Sequence, residues 1–147
     1  VAATATAAEG IGAARQALAA AVEYSRVREQ FGRPIGSFQA LAHLMASAYA
    51  RAEAAWSTVL YAAAALDEAT PDALEAARIA KVYAGEAARE VVEVALQVHG
   101  GIAFTWEHDA HLWQRRVLAT GQRFGDARHH ERRLADTLLP RLVEAAI

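Results

Sequence analysis

In three long stretches of this chain the apolar residues return every three or four positions, and almost nothing interrupts them. In the first, from about Thr6 to Glu29, they are Ile11, Ala14, Leu18 and Val22. That spacing lays them along one face of an α-helix. Gly10 and Gly12 are poor helix formers, so their expected role there is to let a second helix pack closely.

In the second stretch, about Phe38 to Asp67, a buried stripe is traced by Leu41, Leu44, Met45, Ala48, Ala52, Ala55, Val59, Ala63 and Leu66. At the helical rise such a rod is about 45 Å long. Thr70-Pro71-Asp72 then reads as an N-cap, a proline at the first helical position and an early acid. The third stretch runs from about Pro71 to Val98. Its Val91, Val92, Val94 and Val98 would suit a strand on propensity, but the only possible breaker before them is Gly85, and a lone glycine is tolerated in a helix. The run stops at Gly100-Gly101.

A shorter helix is expected from about Glu107 to Ala119, capped by Thr105. Gly121 to Asp126 breaks the pattern. A last helix, about Ala127 to Ala146, carries Leu134, Leu138, Leu142 and Val143 and should bend at Pro140. Three long helices and two shorter ones, with short turns and no alternating strand pattern, predict an all-α, up-and-down helical bundle. It fills residues 1–147 as one domain.

Composition narrows what such a bundle does. With 54% hydrophobic and 22% charged residues the chain can bury a sizeable core. Its 15 Lys+Arg stand against 17 Asp+Glu, a net charge of -2, which gives no support to nucleic-acid binding. Lys81 is the only lysine. The basic side is therefore arginine, whose planar fork suits phosphate contacts and fixed salt bridges. The absence of cysteine excludes disulfides, thiolate chemistry and cysteine-based metal sites. No apolar run has membrane-spanning length, and the N-terminus lacks the charged and apolar regions of a secretory signal. A cytoplasmic location without membrane contact is expected, and a start at Val1 rather than Met reads as a piece of a longer protein.

The chain becomes specific at Tyr24 to Gln39. There an arginine-bearing helix end runs into Phe31-Gly32, turns at Pro34 and Gly36, and restarts at Ser37. Arg28 can donate a rigid fork to a phosphate, Gln30 and Gln39 can donate amide hydrogens, and Phe31 or Phe38 can pack on a ring. The alternative is a bridge from Arg28 to a carboxylate, with the two phenylalanines filling the bundle end. A second constellation is Gln97-Val98-His99-Gly100-Gly101-Ile102-Ala103-Phe104-Thr105. Paired glycines permit left-handed backbone and close ligand approach, and equally serve as a helix C-cap.

Other polar clusters carry less. Glu107-His108-Asp109 with His111, and His129-His130-Glu131, lack the Glu-x-x-His pairs of di-metal bundles, so no metal is expected. Arg115, Arg116, Arg123, Arg128, Arg132 and Arg133, with acids interspersed, read as a solvated, salt-bridged surface. The serines stand on or beside helices without the strained elbow of a nucleophile.

Taken in order, Arg28-Glu29-Gln30-Phe31-Gly32-Arg33-Pro34-Ile35, Phe38-Gln39 and Gln97-Val98-His99-Gly100-Gly101, with Glu107 and Arg115 downstream, resemble the C-terminal helical domain of the acyl-CoA dehydrogenases. The resemblance covers essentially the whole chain. It implies a helical N-terminal domain and a central β domain ahead of this bundle. It also implies an FAD at a subunit interface and bundles packed into homo- or hetero-oligomers. By resemblance, Arg28, Gln30 and Phe31 touch the pyrophosphate or adenine end of FAD, Phe38 and Gln39 flank it, and Gln97, Val98, His99, Gly100 and Gly101 face its adenosine side. The implied reaction is α,β-desaturation of an acyl-CoA thioester by the complete assembly.

Two departures stand beside it. The family's usual glutamate base falls in a turn that here reads Arg123-Phe124-Gly125-Asp126, with Phe124 in its place. The alternative glutamate position falls at about Ala2 and Ala3. Neither residue type abstracts a proton. The wording around His99 and Trp106 also resembles bacterial members that work as mixed assemblies, some of them on steroid side chains. The expected roles are thus FAD contact and oligomerisation without a base of its own. The rivals are a non-enzymatic helical scaffold or partner subunit and, more distantly, a metal-dependent bundle oxidase.

Overall fold

The computed structural model describes residues 1–145. Helix α1 (Ala2–Val27) leads into a two-stranded antiparallel hairpin of β1 (Glu29–Gln30) and β2 (Arg33–Pro34), in which Glu29 faces Pro34 and Gln30 faces Arg33. A 3-10 turn, Ile35–Ser37, precedes α2 (Gln39–Asp67). Then follow α3 (Ala73–His99), a second 3-10 segment (Gly100–Phe104), α4 (Ala110–Gln122) and α5 (Ala127–Ala145). The expected all-α bundle of three long and two shorter helices is what forms, and the valine-rich end of the third is helix. Ala146, its expected last residue, lies outside the described residues.

Helix α3 is the central rod, packed against α1, α2, α4 and α5. The seams are lined mostly by alanine. Ala14, Ala17 and Ala21 on α1, Ala52, Ala55 and Ala62 on α2, and Ala80, Ala84 and Ala88 on α3 are all buried. Small side chains bring helix backbones near the short end of the usual 8–10 Å spacing. Larger groups are few. Ile11 and Val91 are the largest apolar side chains wholly out of water, each worth about 1.5–3 kcal/mol of transfer free energy. Gly10 is a close-packing position as expected: a Cβ there would lie 2.8 Å from Thr120 Oγ1 on α4. Gly12 is not, since a Cβ would meet nothing within 4 Å.

Several local expectations are corrected. The corner contains a short hairpin, because each strand pairs only two residues, too few for any alternation to appear. The buried stripe of α2 ends through Ala62 and Ala65, leaving Ala63 exposed and Leu66 half-buried; the 3.6-residue turn falls a little short of a strict four-residue step. Helix α3 starts at Ala73 with Asp72 as its cap residue, not at Pro71 under Thr70. The Asp72 carboxylate is engaged elsewhere, accepting from Tyr61 Oη at 2.5 Å and Thr70 Oγ1 at 2.7 Å, which ties the turn to α2. Thr105 does not cap α4, which begins at Ala110; its hydroxyl donates to the Ile102 carbonyl at 2.9 Å. Leu134 and Leu138 are half-buried on α5, but Leu142 and Val143 are exposed. No helix among the described residues is long and apolar enough to cross a membrane.

Candidate functional site

The up-down-up path brings the end of α1, the start of α2, the end of α3 and the start of α4 to one end of the bundle. There the two stretches singled out in the sequence meet. Arg28 and Gln30 from the corner, with Val98, His99 and Gly101 from the end of α3, line one cavity of about 450 Å³. Tyr24, Ile35 and Ile102 complete its wall.

Arg28 stands just past the last turn of α1 as its C-cap residue, with extended backbone (φ -77°, ψ 122°). Its amide donates to the Tyr24 carbonyl at 2.9 Å and its own carbonyl accepts the Ile35 amide at 2.8 Å. The main chain is therefore fixed on both sides while the side chain is exposed. The alternative of a bridge from Arg28 to a carboxylate is not what forms: no ion pair among the described residues includes it. Arg33 differs, for its guanidinium lies 4.0 Å over the Phe38 ring. The chain thus occupies two arginines of the corner, Arg26 paired with Glu23 and Arg33 over Phe38, and leaves Arg28 available.

The hairpin is held down by Gly36, where a Cβ would come within 2.7 Å of Ser25 Oγ and 3.1 Å of the Ser25 carbonyl. At its tip Phe31 and Gly32 both take positive φ, 53° and 76°. Phe31 is 91% exposed, touching Phe38 edge-on at 6.2 Å between ring centres. A phenylalanine held in left-handed backbone with its ring in water costs about 1–2 kcal/mol and gains almost nothing within its own chain.

On the facing side Gly100 terminates α3 with φ 65°, the helix C-cap role of a glycine. His99 is buried between Tyr24, at 4.9 Å, and His108, at 4.3 Å between ring centres. Its Nδ1 donates to the Ala95 carbonyl at 2.7 Å. Burial pushes its pKa down, the Ala95 bond partly offsets this, and His108 lowers it further. His99 is therefore a neutral imidazole at neutral pH. Phe31, Phe38, Gln39, Gln97 and Gly100 stand outside the cavity, with Gln39 and Gln97 exposed on their helices.

Tyr24, Ile35 and Ile102 lie inside the stretches singled out in the sequence but were given no role there. Tyr24 had a signal, because it stands four residues before Arg28, one helical turn away. Among the described residues no group of three or more acids or histidines is arranged as metal ligands. His108 Nδ1 accepts the Ala110 amide at 3.1 Å and His111 Nδ1 donates to the His108 carbonyl at 2.9 Å, so both serve the start of α4. Of the arginine stretch, Arg116 pairs with Glu9 on α1 and Arg115 stacks over Trp106. The others make no ion pair among the described residues, so the expected salt-bridged surface is formed only at Arg116.

A free guanidinium, an amide side chain, a neutral imidazole and exposed glycine backbone around one hollow fit an anionic group joined to polar rings. The family described as acyl-CoA dehydrogenase, C-terminal domain, matches residues 1–139. The chain belongs to the acyl-CoA dehydrogenase family. It is 47% identical over 128 residues to acyl-CoA dehydrogenase IpdE2 of Mycolicibacterium smegmatis, a match covering 87% of this chain and 39% of that protein. Butyryl-CoA dehydrogenase from Megasphaera elsdenii superposes with a TM-score of 0.89 at 33% identity, over 93% of this chain and 36% of that one. The ChsE4-ChsE5 complex from Mycobacterium tuberculosis follows at 0.87 and 30%, over 94% and 37%. The acyl-CoA dehydrogenases are FAD-dependent flavoproteins, and this chain corresponds to their C-terminal helical domain, under two-fifths of the length of these relatives.

Proposed function

We propose that this chain is the FAD-contacting and oligomerising C-terminal bundle of an acyl-CoA dehydrogenase-like flavoprotein, acting on an acyl-CoA thioester as part of a complete assembly. The observation that carries the proposal is Arg28: exposed, unpaired among the described residues, and sharing a hollow with Gln30, His99 and Gly101. In this reading Arg28 holds a phosphate of the dinucleotide by a charge-assisted fork. Gln30, His99 and the Gly101 backbone face its polar rings, and Val98 closes the apolar floor. Phe31 and Phe38 form an aromatic edge, flanked by Gln39, that a neighbouring protomer covers; Gln97 and Gly100 shape the opposite rim. When bound, the flavin would supply the two-electron acceptor for the β-hydrogen lost in α,β-desaturation, while the α-proton needs a carboxylate base.

A mixed assembly is favoured by Phe124. The turn that bears it has an exposed, non-ionisable side chain where the resemblance puts a base, and Ala2 and Ala3 offer no substitute. A partner subunit then supplies the carboxylate. A cytoplasmic setting and a steroid or fatty acyl substrate accord with this proposal. The test is the absorption spectrum of the full-length protein purified with any co-encoded partner. Bound flavin is expected; a colourless assembly that ignores added FAD would overturn the reading.

A further inference from the structure

The only lysine of this chain is buried and makes no ion pair among the described residues. Lys81, on α3, is 3% exposed, and its Nζ donates to the Thr120 carbonyl at 2.5 Å and to Thr6 Oγ1 at 3.1 Å. Thr120 belongs to the last turn of α4, whose carbonyls have no partner within the helix. Lys81 thus caps α4 from the side and ties it to α1.

Immediately after comes the Arg123–Asp126 turn. His130, 7% exposed on α5, donates from Nε2 to the Phe124 carbonyl at 3.0 Å. Its Nδ1 is buried and has no hydrogen-bond partner among the described residues. Phe124 and Gly125 take φ 59° and 96°, and Gly125 lies so close that a Cβ would sit 2.7 Å from His129 Cδ2 and 2.8 Å from His130 Nε2. His130 therefore braces this left-handed turn from below, while Lys81 holds the helix end that leads into it.

The ionisable groups facing His130 are Lys81 and Arg78 on α3 and His129 on its own helix. None of them is an acid. Asp126, the acid nearest in sequence, is turned to the start of α5, where its Oδ1 accepts the His129 amide at 2.9 Å. A proton on Nδ1 of His130 would thus meet only positive neighbours, in a place with little water.

We propose that His130, set beside Lys81, is a proton-sensitive latch that fixes residue 124 in its left-handed geometry when His130 is neutral and frees the turn and the start of α5 when His130 is protonated. Burial pushes the pKa of His130 down, its bond to Phe124 partly offsets this, and the neighbouring cations lower it further. A base whose folded value lies below its unfolded value takes up more protons when unfolded. The latch is therefore closed above the unfolded histidine value of about 6.5 and opens as pH falls through the folded one.

The test is hydrogen exchange by mass spectrometry on the full-length protein, following the amides of residues 121–130 and the C2 hydrogen of His130, which reports its titration. After correction for intrinsic exchange, protection of those amides should fall about tenfold between about pH 7.5 and about pH 5.5, in step with His130. His130→Gln, which keeps a donor but cannot charge, should abolish the step. His129→Gln should keep it, and Lys81→Met should move it to higher pH. A step that persists in His130→Gln, or is displaced in wild type from the His130 titration, or is absent from wild type, overturns the proposal. Should a variant fail to fold, the wild-type coincidence of the two titrations decides.

Discussion

Phe31-Gly32 and Phe124-Gly125 are the same local structure in two places. Each pairs a phenylalanine at positive φ with a glycine at positive φ, and each leaves the ring exposed, 91% and 64%. What lies underneath differs. A Cβ at Gly32 would meet nothing within 4 Å, whereas one at Gly125 would collide with His129 and His130. The first turn stands at the edge of an open hollow with an unpaired arginine beside it; the second rests on the buried His130 ring, which holds its backbone. Strain at the first has no internal counterweight, which is the pattern expected where the compensating contact comes from another molecule. Strain at the second is balanced within the chain.

Substitutions separate the two. Gly125→Ala should cost about 2–4 kcal/mol, adding a steric clash to left-handed backbone, while Gly32→Ala should cost only about 1 kcal/mol; urea unfolding of both variants measures the contrast. Gly36→Ala, with its Cβ 2.7 Å from Ser25 Oγ, should lose about 1–3 kcal/mol and loosen the hairpin that carries the first turn. Mild acid should weaken the chain, because burial holds both His99 and His130 below the ordinary histidine value. Stability is complete above about pH 6.5 and declines as pH falls toward the folded values. His130→Gln should remove the share that arises at the second turn. The smallest effect is expected for Phe31→Ala, within about 0.5 kcal/mol of wild type in unfolding. Its consequence should appear instead as weaker association of the assembly, read by analytical ultracentrifugation.

How far the sequence foretold this depends on whether a residue answers to its own helix or to another. The long rods were legible because Ile11, Ala14 and Leu18, or Met45, Ala48 and Ala52, repeat with the helix, and all are buried. The cavity was legible in part, since Arg28 and His99 belong to polar stretches that packing alone does not require. Lys81 was missed, although Ala77, Lys81, Ala84 and Ala88 step three or four apart along a buried face, a placement that marks an interior lysine. What no spacing announces is that Arg33 would be taken by Phe38 and Arg28 left free, or that the carboxylate of Asp72 would bond Tyr61 rather than the first amides of α3. Those choices are made between elements, after the helices have found one another.

The most direct measurement is the equilibrium affinity of the full-length, partner-complete assembly for FAD, compared between wild type, Arg28→Ala and Arg33→Ala. Loss of one charge-assisted fork should weaken flavin binding about 10- to 100-fold in Arg28→Ala with unfolding stability unchanged, and Arg33→Ala should weaken it far less. Equal FAD affinity in Arg28→Ala and wild type would contradict the account.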